Sequence, residues 1–187
     1  MAEMGPVARF FVNRSAARRT RRRLRWIAAN VTLPPGADCL EIGGGNAEFA
    51  AQFVERYRPR RYRATDLDQR QLEEARRTLA RHFPSGPPAA LGLEEADMLK
   101  LPVESGSLDV VFAFVSIHHA SAAHRDFARV PDALAEIDRV LRPGGRLVYA
   151  ELFHQRPIRE WLQGHGYRLT GVERRWRLES AVAEKGA

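Results

Sequence analysis

In the stretch Asp38-Cys39-Leu40-Glu41-Ile42-Gly43-Gly44-Gly45-Asn46-Ala47-Glu48-Phe49, an apolar run carrying an acid breaks into three glycines and then into a new apolar periodicity. Glycines at such a junction let backbone come close to a ligand, and the helix that follows presents unpaired N–H groups to it. Two more acids stand where apolar runs stop: Asp66 after Arg61 to Thr65, and Asp97 after Ala89 to Glu95. A carboxylate in that position can accept a pair of hydroxyls or an amino group. A plain structural role is open to each: Asp66 or Asp68 as a helix N-cap, Asp97 as a turn residue. The most apolar run, Leu108 to Val115, leads into Ser116-Ile117-His118-His119, two side chains that titrate near neutrality.

The elements that must position these residues alternate. Short apolar runs at 39–42, 61–65, 89–95, 108–115 and 146–152 read as strands. Helical periodicity fills 46–56, 68–82, 131–141 and 158–163, with Leu72, Ala75 and Leu79 on one face of the second of these. Arg142-Pro143-Gly144-Gly145 reads as a sharp stop and turn. Two last strands, Tyr167 to Glu173 and Trp176 to Ala183, are expected to pair. Alternating strands and helices imply a parallel sheet covered on both faces, with ligands at the carboxyl ends of its strands.

The glycine turn narrows the ligand. A dinucleotide fingerprint wants a third glycine where Glu48 stands, and a carboxylate in the first helical turn repels a pyrophosphate. Glu41 adds a second negative charge before the turn. The pair suits a ligand with a cationic centre and no phosphates.

On these residues the chain resembles the class I S-adenosylmethionine-dependent methyltransferases, in particular the ubiquinone/menaquinone methyltransferase-like, type 11 group. Leu40-Glu41-Ile42-Gly43-Gly44-Gly45-Asn46-Ala47 is similar to that family's first motif, Ala64-Thr65-Asp66-Leu67-Asp68 to its second and Ala96-Asp97-Met98 to its third. Leu108-Asp109-Val110-Val111 to His118-His119 resembles the fourth-strand motif, and Arg139 to Leu147 the signature before the fifth strand. Each motif alone is weak; five in order are specific. The resemblance spans about Gly36 to Leu152. It implies a doubly wound, Rossmann-like α/β fold with a seven-stranded sheet, a terminal antiparallel strand and helices on both faces. It also implies S-adenosyl-L-methionine as cofactor, with Glu41, Gly43, Gly44 and Gly45 at its amino-acid part and Asp66 and Leu67 at the ribose. Asp97 and Met98 would meet the adenine, and the Phe114 backbone carbonyl the ammonium. The expected activity is methyl transfer, EC 2.1.1.-.

Methyl transfer from a sulfonium needs alignment, desolvation and, for a protonated acceptor, a base. His119 is the first candidate, then His118; both can equally be packing residues. The fourth strand lacks the Asn/Asp-Pro-Pro-aromatic motif of adenine or glutamine methylation. The lone Cys39 sits in the first strand, away from any role as a nucleophile. No metal site is expected from His118, His119 and His154. A small-molecule or lipid acceptor is expected ahead of RNA, and a non-catalytic cofactor-binding subunit is the alternative of another class.

Composition bounds the rest. The 187 residues suit one core, and one cysteine excludes an internal disulfide. No apolar run reaches the roughly 20 residues of a membrane span, and the N-terminus lacks the apolar stretch of a secretory signal. A cytoplasmic protein, peripheral at the membrane if its acceptor is a lipid, is expected. The net charge of +7 is local. Up to Asn30 there are eight arginines against Glu3 alone, so of 30 basic and 23 acidic residues a balanced 22 of each remain beyond it. Residues 1–35 are therefore read as a basic helical segment, a lid or docking element, and 36–187 as the cofactor-binding domain. Ser15 is the expected cap of that helix, Phe10 and Phe11 the expected lid residues. Its stripe of Ala17, Thr20, Leu24, Ile27 and Val31 faces inward, and its arginines suit a solvated face, RNA, or an anionic membrane surface. Oligomeric state is left open.

Overall fold

The computed structural model describes residues 16–121, 123 and 126–186; Phe10, Phe11, Ser15 and His124 lie outside them. The first described element is helix α1 (Ala16–Asn30). Its stripe buries as its spacing predicts: Thr20, Leu24, Ile27 and Val31 are covered, while Arg18, Arg21, Arg22 and Arg25 face solvent.

Seven strands follow: β1 (Asp38–Ile42), β2 (Arg61–Asp66), β3 (Leu91–Glu95), β4 (Leu108–Phe114), β5 (Leu141–Glu151), β6 (Arg168–Arg175) and β7 (Leu178–Glu184). They form one sheet in the order β3-β2-β1-β4-β5-β7-β6. The first five run parallel, and β7 lies antiparallel between β5 and β6. Strand order reverses at β1, where β2 and β4 leave on opposite sides; this is the switch point at which such sheets bind ligands. The helices between are α2 (Glu48–Tyr57), α3 (Gln69–His82), α4 (Val130–Val140) and α5 (Gln155–Gly164), with a short 3₁₀ turn at Ile117–Ala120.

All five residues of β1 are buried, as a strand covered on both faces requires. Cys39 joins the core under α1, α2 and α3, where Phe49, Phe53, Tyr62, Phe112 and Phe114 interlock. Leu40 and Ile42 point the other way, into the core with Val111, Leu134, Ile137 and Tyr149. The sheet therefore holds the glycine turn from below on two independent cores.

The start of the fifth strand differs from the sequence expectation. Arg142 to Gly145 does not end an element before β5; the strand runs through it. Leu108 pairs with Leu141 but Val110 with Arg146, so those residues bulge out of an otherwise continuous ladder. Arg142 is tied to Asp109 at 2.5 Å, which holds the bulge against β4. Turn-forming residues were accommodated as an insertion because the partner strand continues past them.

Candidate functional site

Gly43 and Gly45 have φ of +66° and +56°, so the turn after β1 uses backbone conformations that favour glycine. Gly43 is also sterically required: a Cβ there would lie 2.7 Å from Ser116 Cβ at the end of β4. Gly44 backs onto Glu41, with Oε2 3.3 Å from where its Cβ would be. Ala47, at φ +57°, stands at the N-cap of α2. Glu41 is buried behind the turn and accepts from the Tyr62 hydroxyl at 2.9 Å. Burial pushes its carboxyl up to about 7, against the pull of that hydrogen bond and of Arg23.

Asp66 is half-buried at the end of β2. Its two carboxylate oxygens accept from Gly45 N and Asp68 N, both at 2.9 Å. The cap of α3 is a different residue, Asp68, which accepts from Arg70 N. Asp66 is thus relieved of capping and welded to the glycine turn, with lone pairs left for hydroxyls. Burial raises its carboxyl above the usual range. Leu67 is exposed beside it. Asp97 is exposed after β3; its Oδ1 accepts from Leu99 N and its backbone bridges Lys100. Met98 turns its side chain into the core, so only its backbone faces the edge.

At the end of β4, Phe114 packs edge-on to Phe49 of α2 with 4.8 Å between ring centres. Val115 then takes φ +60°, a strained conformation for a β-branched residue. The strain is held by Glu151 at the end of β5. Its Oε1 accepts from Ser116 N and Ile117 N, at 2.9 and 2.7 Å, and its Oε2 from His118 Nδ1 at 2.7 Å. Both Glu151 and His118 are buried. His119 is the more open ring, its centre 4.1 Å from that of His118 with the planes tilted by 35°.

Glu151 was not singled out in the sequence, because the pairing that gives it a role spans more than thirty residues and one β-ladder register. Arg23 was counted only as one of a charge run. Its guanidinium lies 4.5 Å above the Phe114 ring, with no hydrogen bond or ion pair among the described residues. It faces Glu41 from above, and burial pulls its pKa down to about 10. The other newly placed group is Gln71 of α3, whose buried Oε1 lies 3.8 Å from the Gly45 Cβ position.

Gln71 Oε1 and Ser116 Oγ are both buried without hydrogen-bond partners among the described residues, and they lie against Gly45 and Gly43 of the turn. Buried polar atoms left unpaired at a glycine cradle fit a site that is completed by a polar ligand. A carboxylate fixed for hydroxyls, an unpaired cation and a Glu41 carboxyl nearby suit a nucleoside carrying an amino acid.

The switch point and its cradle therefore define an α/β protein that binds a nucleoside cofactor at the carboxyl edge. A family model described as a methyltransferase domain matches residues 40–149. The chain is 34% identical over 130 residues to a ubiquinone/menaquinone biosynthesis C-methyltransferase of Paracoccus denitrificans, covering 68% of this chain and 47% of that one. It is 33% identical to a phthiotriol/phenolphthiotriol dimycocerosates methyltransferase of Mycobacterium ulcerans, covering 67% and 41%. The chain thus spans about half the length of the curated relatives it matches. A solved chain from the complex of the Haloferax volcanii Trm112 methyltransferase activator with a methyltransferase shares the fold, at TM-score 0.71 and 13% identity, covering 96% of this chain and 97% of that one. The chain belongs to the methyltransferase domain family, whose cofactor is S-adenosylmethionine.

Proposed function

We propose that the protein transfers the methyl group of S-adenosylmethionine to a small-molecule or lipid acceptor. The observation that carries this is the cradle: Gly43 pressed on Ser116, and Asp66 hydrogen-bonded to the turn it serves. The cofactor supplies an electrophilic methyl on a sulfonium. Asp66 would hold its ribose hydroxyls, the Asp97 and Met98 turn its adenine, Arg23 its carboxylate and the Phe114 carbonyl its ammonium. Glu41, behind Gly44, adds negative potential toward the cationic end.

The acceptor side falls to the histidine pair. Glu151 Oε2 accepts a hydrogen bond from His118 Nδ1–H, which fixes that ring's tautomer and orientation. His118 in turn packs against His119, the more accessible ring and the first candidate for a base. A lipid or small molecule is favoured by the relatives named for ubiquinone/menaquinone biosynthesis and for phthiotriol/phenolphthiotriol dimycocerosates.

Calorimetry with S-adenosylmethionine tests the donor side: binding abolished by Asp66→Ala supports it, and no binding by the parent chain sinks it. Transfer of labelled methyl into a panel of quinol, phenol and lipid-alcohol acceptors tests the reaction. Loss of transfer in His119→Ala with cofactor binding intact assigns the base, and undiminished transfer removes His119 from that role.

A further inference from the structure

We propose that the turn between β6 and β7, with the neighbouring carboxyl-edge loops, docks this protein on an anionic membrane surface. Four large apolar side chains are exposed among the described residues: Leu67, Leu152, Val172 and Trp176. Three belong to one side of the molecule. Leu152 follows Glu151 at the end of β5; Glu179, just beyond the β6–β7 turn, pairs with Glu151; Val172 is on the edge strand β6. Trp176 is the tip of that turn and is 101% exposed. Its φ of +59° costs energy for a side chain of this size, with no packing contact to offset it.

The tip is cationic. Arg174, Arg175 and Arg177 surround Trp176, and Arg156 in the first turn of α5 is exposed beside Leu152. The acids on this side are already engaged: Glu173 with Arg175, Glu160 with Arg156, and buried Glu179 with Arg159 and Arg174. Arg177 has no ion pair among the described residues. Helix α1 adds cations elsewhere along the carboxyl edge, over β4. Its far end lies against Gly171 of β6 through Asn30, and Arg23 stands over Phe114 at the carboxyl edge, so exposed Arg18, Arg21 and Arg22 belong to the edge end of the helix.

The tip is also fixed to the site. Gln155 Nε2 donates both to the Glu151 carbonyl at 2.8 Å and to the Arg177 carbonyl at 2.5 Å. Glu151 is the residue that holds His118, so hydrogen bonds link the turn to the histidine pair. On the far side of the edge, Asp66, Asp68, Glu95 and Asp97 would be repelled by an anionic surface, which sets the approach.

Arginines around a tryptophan with aliphatic neighbours match a headgroup interface: cations meet anionic lipid, and Trp and Leu enter the apolar boundary. Single-stranded RNA is bound instead in a groove that offers successive aromatic planes. Leu152 and Val172 provide none, and the tip is convex. The docked orientation places the acceptor side against the bilayer, so this proposal rests on the lipid-acceptor reading above while its test does not require turnover.

The full chain is sedimented with vesicles of phosphatidylcholine alone and of phosphatidylcholine mixed with phosphatidylglycerol. Binding is expected only to the mixed vesicles. Arg175→Gln with Arg177→Gln is expected to weaken it about 30-fold, at about fivefold per arginine near an anionic surface. Trp176→Asn, which suits the backbone conformation, is expected to weaken it as well, with S-adenosylmethionine binding unchanged in both variants. Equal binding to both vesicle types, or parent-like binding by the variants, overturns the proposal. So does loss of poly(U) binding in the variants where the parent ignores vesicles, which would make the turn a nucleic-acid contact. Vesicle binding without methyl transfer would count against the lipid acceptor alone.

Discussion

Around β1, β2 and β3 the carboxyl edge is made of backbone and carboxylates: Gly43, Gly44 and Gly45, with Asp66 hydrogen-bonded to the turn and Asp97 closing its own. Around β4, β5 and β7 it is made of side-chain pairs: His118 with Glu151, Glu179 with Arg159 and Arg174, and Gln155 spanning two carbonyls. The first half needs particular residue types at particular steps along the chain. The second needs two distant residues to meet, and many pairs of residue types can do that. On the proposed function the first half serves the cofactor, as donor half, and the second the acceptor, as acceptor half.

The sharpest break of the donor half is Gly43→Ala. Its positive φ costs about 1–2 kcal/mol for any L side chain. The contact with Ser116 Cβ adds overpacking of about 1–3 kcal/mol. Denaturant unfolding should show a loss of about 3 kcal/mol in total, and calorimetry no cofactor binding. Parent-like binding would mean that the cradle is not where the ligand sits.

Glu151→Gln breaks the acceptor half instead. The amide replaces one acceptor oxygen with a donor, so Ser116 N, Ile117 N or His118 Nδ1 loses its partner in a buried place. The expected cost is about 2–3 kcal/mol of stability. Cofactor affinity should stay close to the parent's while methyl transfer falls. If both fall together, the two halves are not separable and Glu151 serves the cradle too.

That separation also explains what could be read from the chain alone. The glycine turn and the acid beside it were legible because their signals are local: glycines at a strand end, and an acid about 23 residues on. Helix α1 was legible in its buried stripe, since Thr20, Leu24, Ile27 and Val31 repeat at helical spacing. Arg23 was hidden in the same helix, because one arginine among eight carries no mark of the ring it will lie on. Glu151 ended a strand like any polar residue, and its function appears only when β4 and β5 align. Trp176 looked like strand and proved to be a turn tip, for hairpin geometry depends on the register of β6 and β7.

Arg23 tests the boundary between the halves. If it pairs with the cofactor's carboxylate, Arg23→Gln should lose a charge-assisted hydrogen bond of about 1.5–3 kcal/mol, or about 10- to 100-fold in Kd. The decarboxylated cofactor should bind the parent and the variant alike. An equal loss for both ligands would place Arg23 in the packing over Phe114 rather than on the ligand.

The smallest effect is expected from pH, and it discriminates most finely. Glu41 is faced by the Tyr62 hydroxyl from β2, by Arg23 from α1 and, more distantly, by Asp66. With its carboxyl at about 7 it is partly protonated near neutrality. A raised carboxyl binds its proton more tightly folded than unfolded. The free protein should therefore lose stability as pH rises between the ordinary value of 4.5 and about 7. Binding a cationic cofactor favours the ionised form, so affinity should rise with pH through that same region and level off above it. The gain cannot exceed about tenfold per pH unit, since one proton is involved. Calorimetry in buffers of different ionisation enthalpy should detect a fraction of a proton released on binding. Glu41→Gln, which keeps an oxygen for Tyr62, should flatten both slopes. A slope that survives in that variant would move the linked proton to Asp66, whose carboxyl is also raised by burial and is hydrogen-bonded to the same turn through Gly45 N.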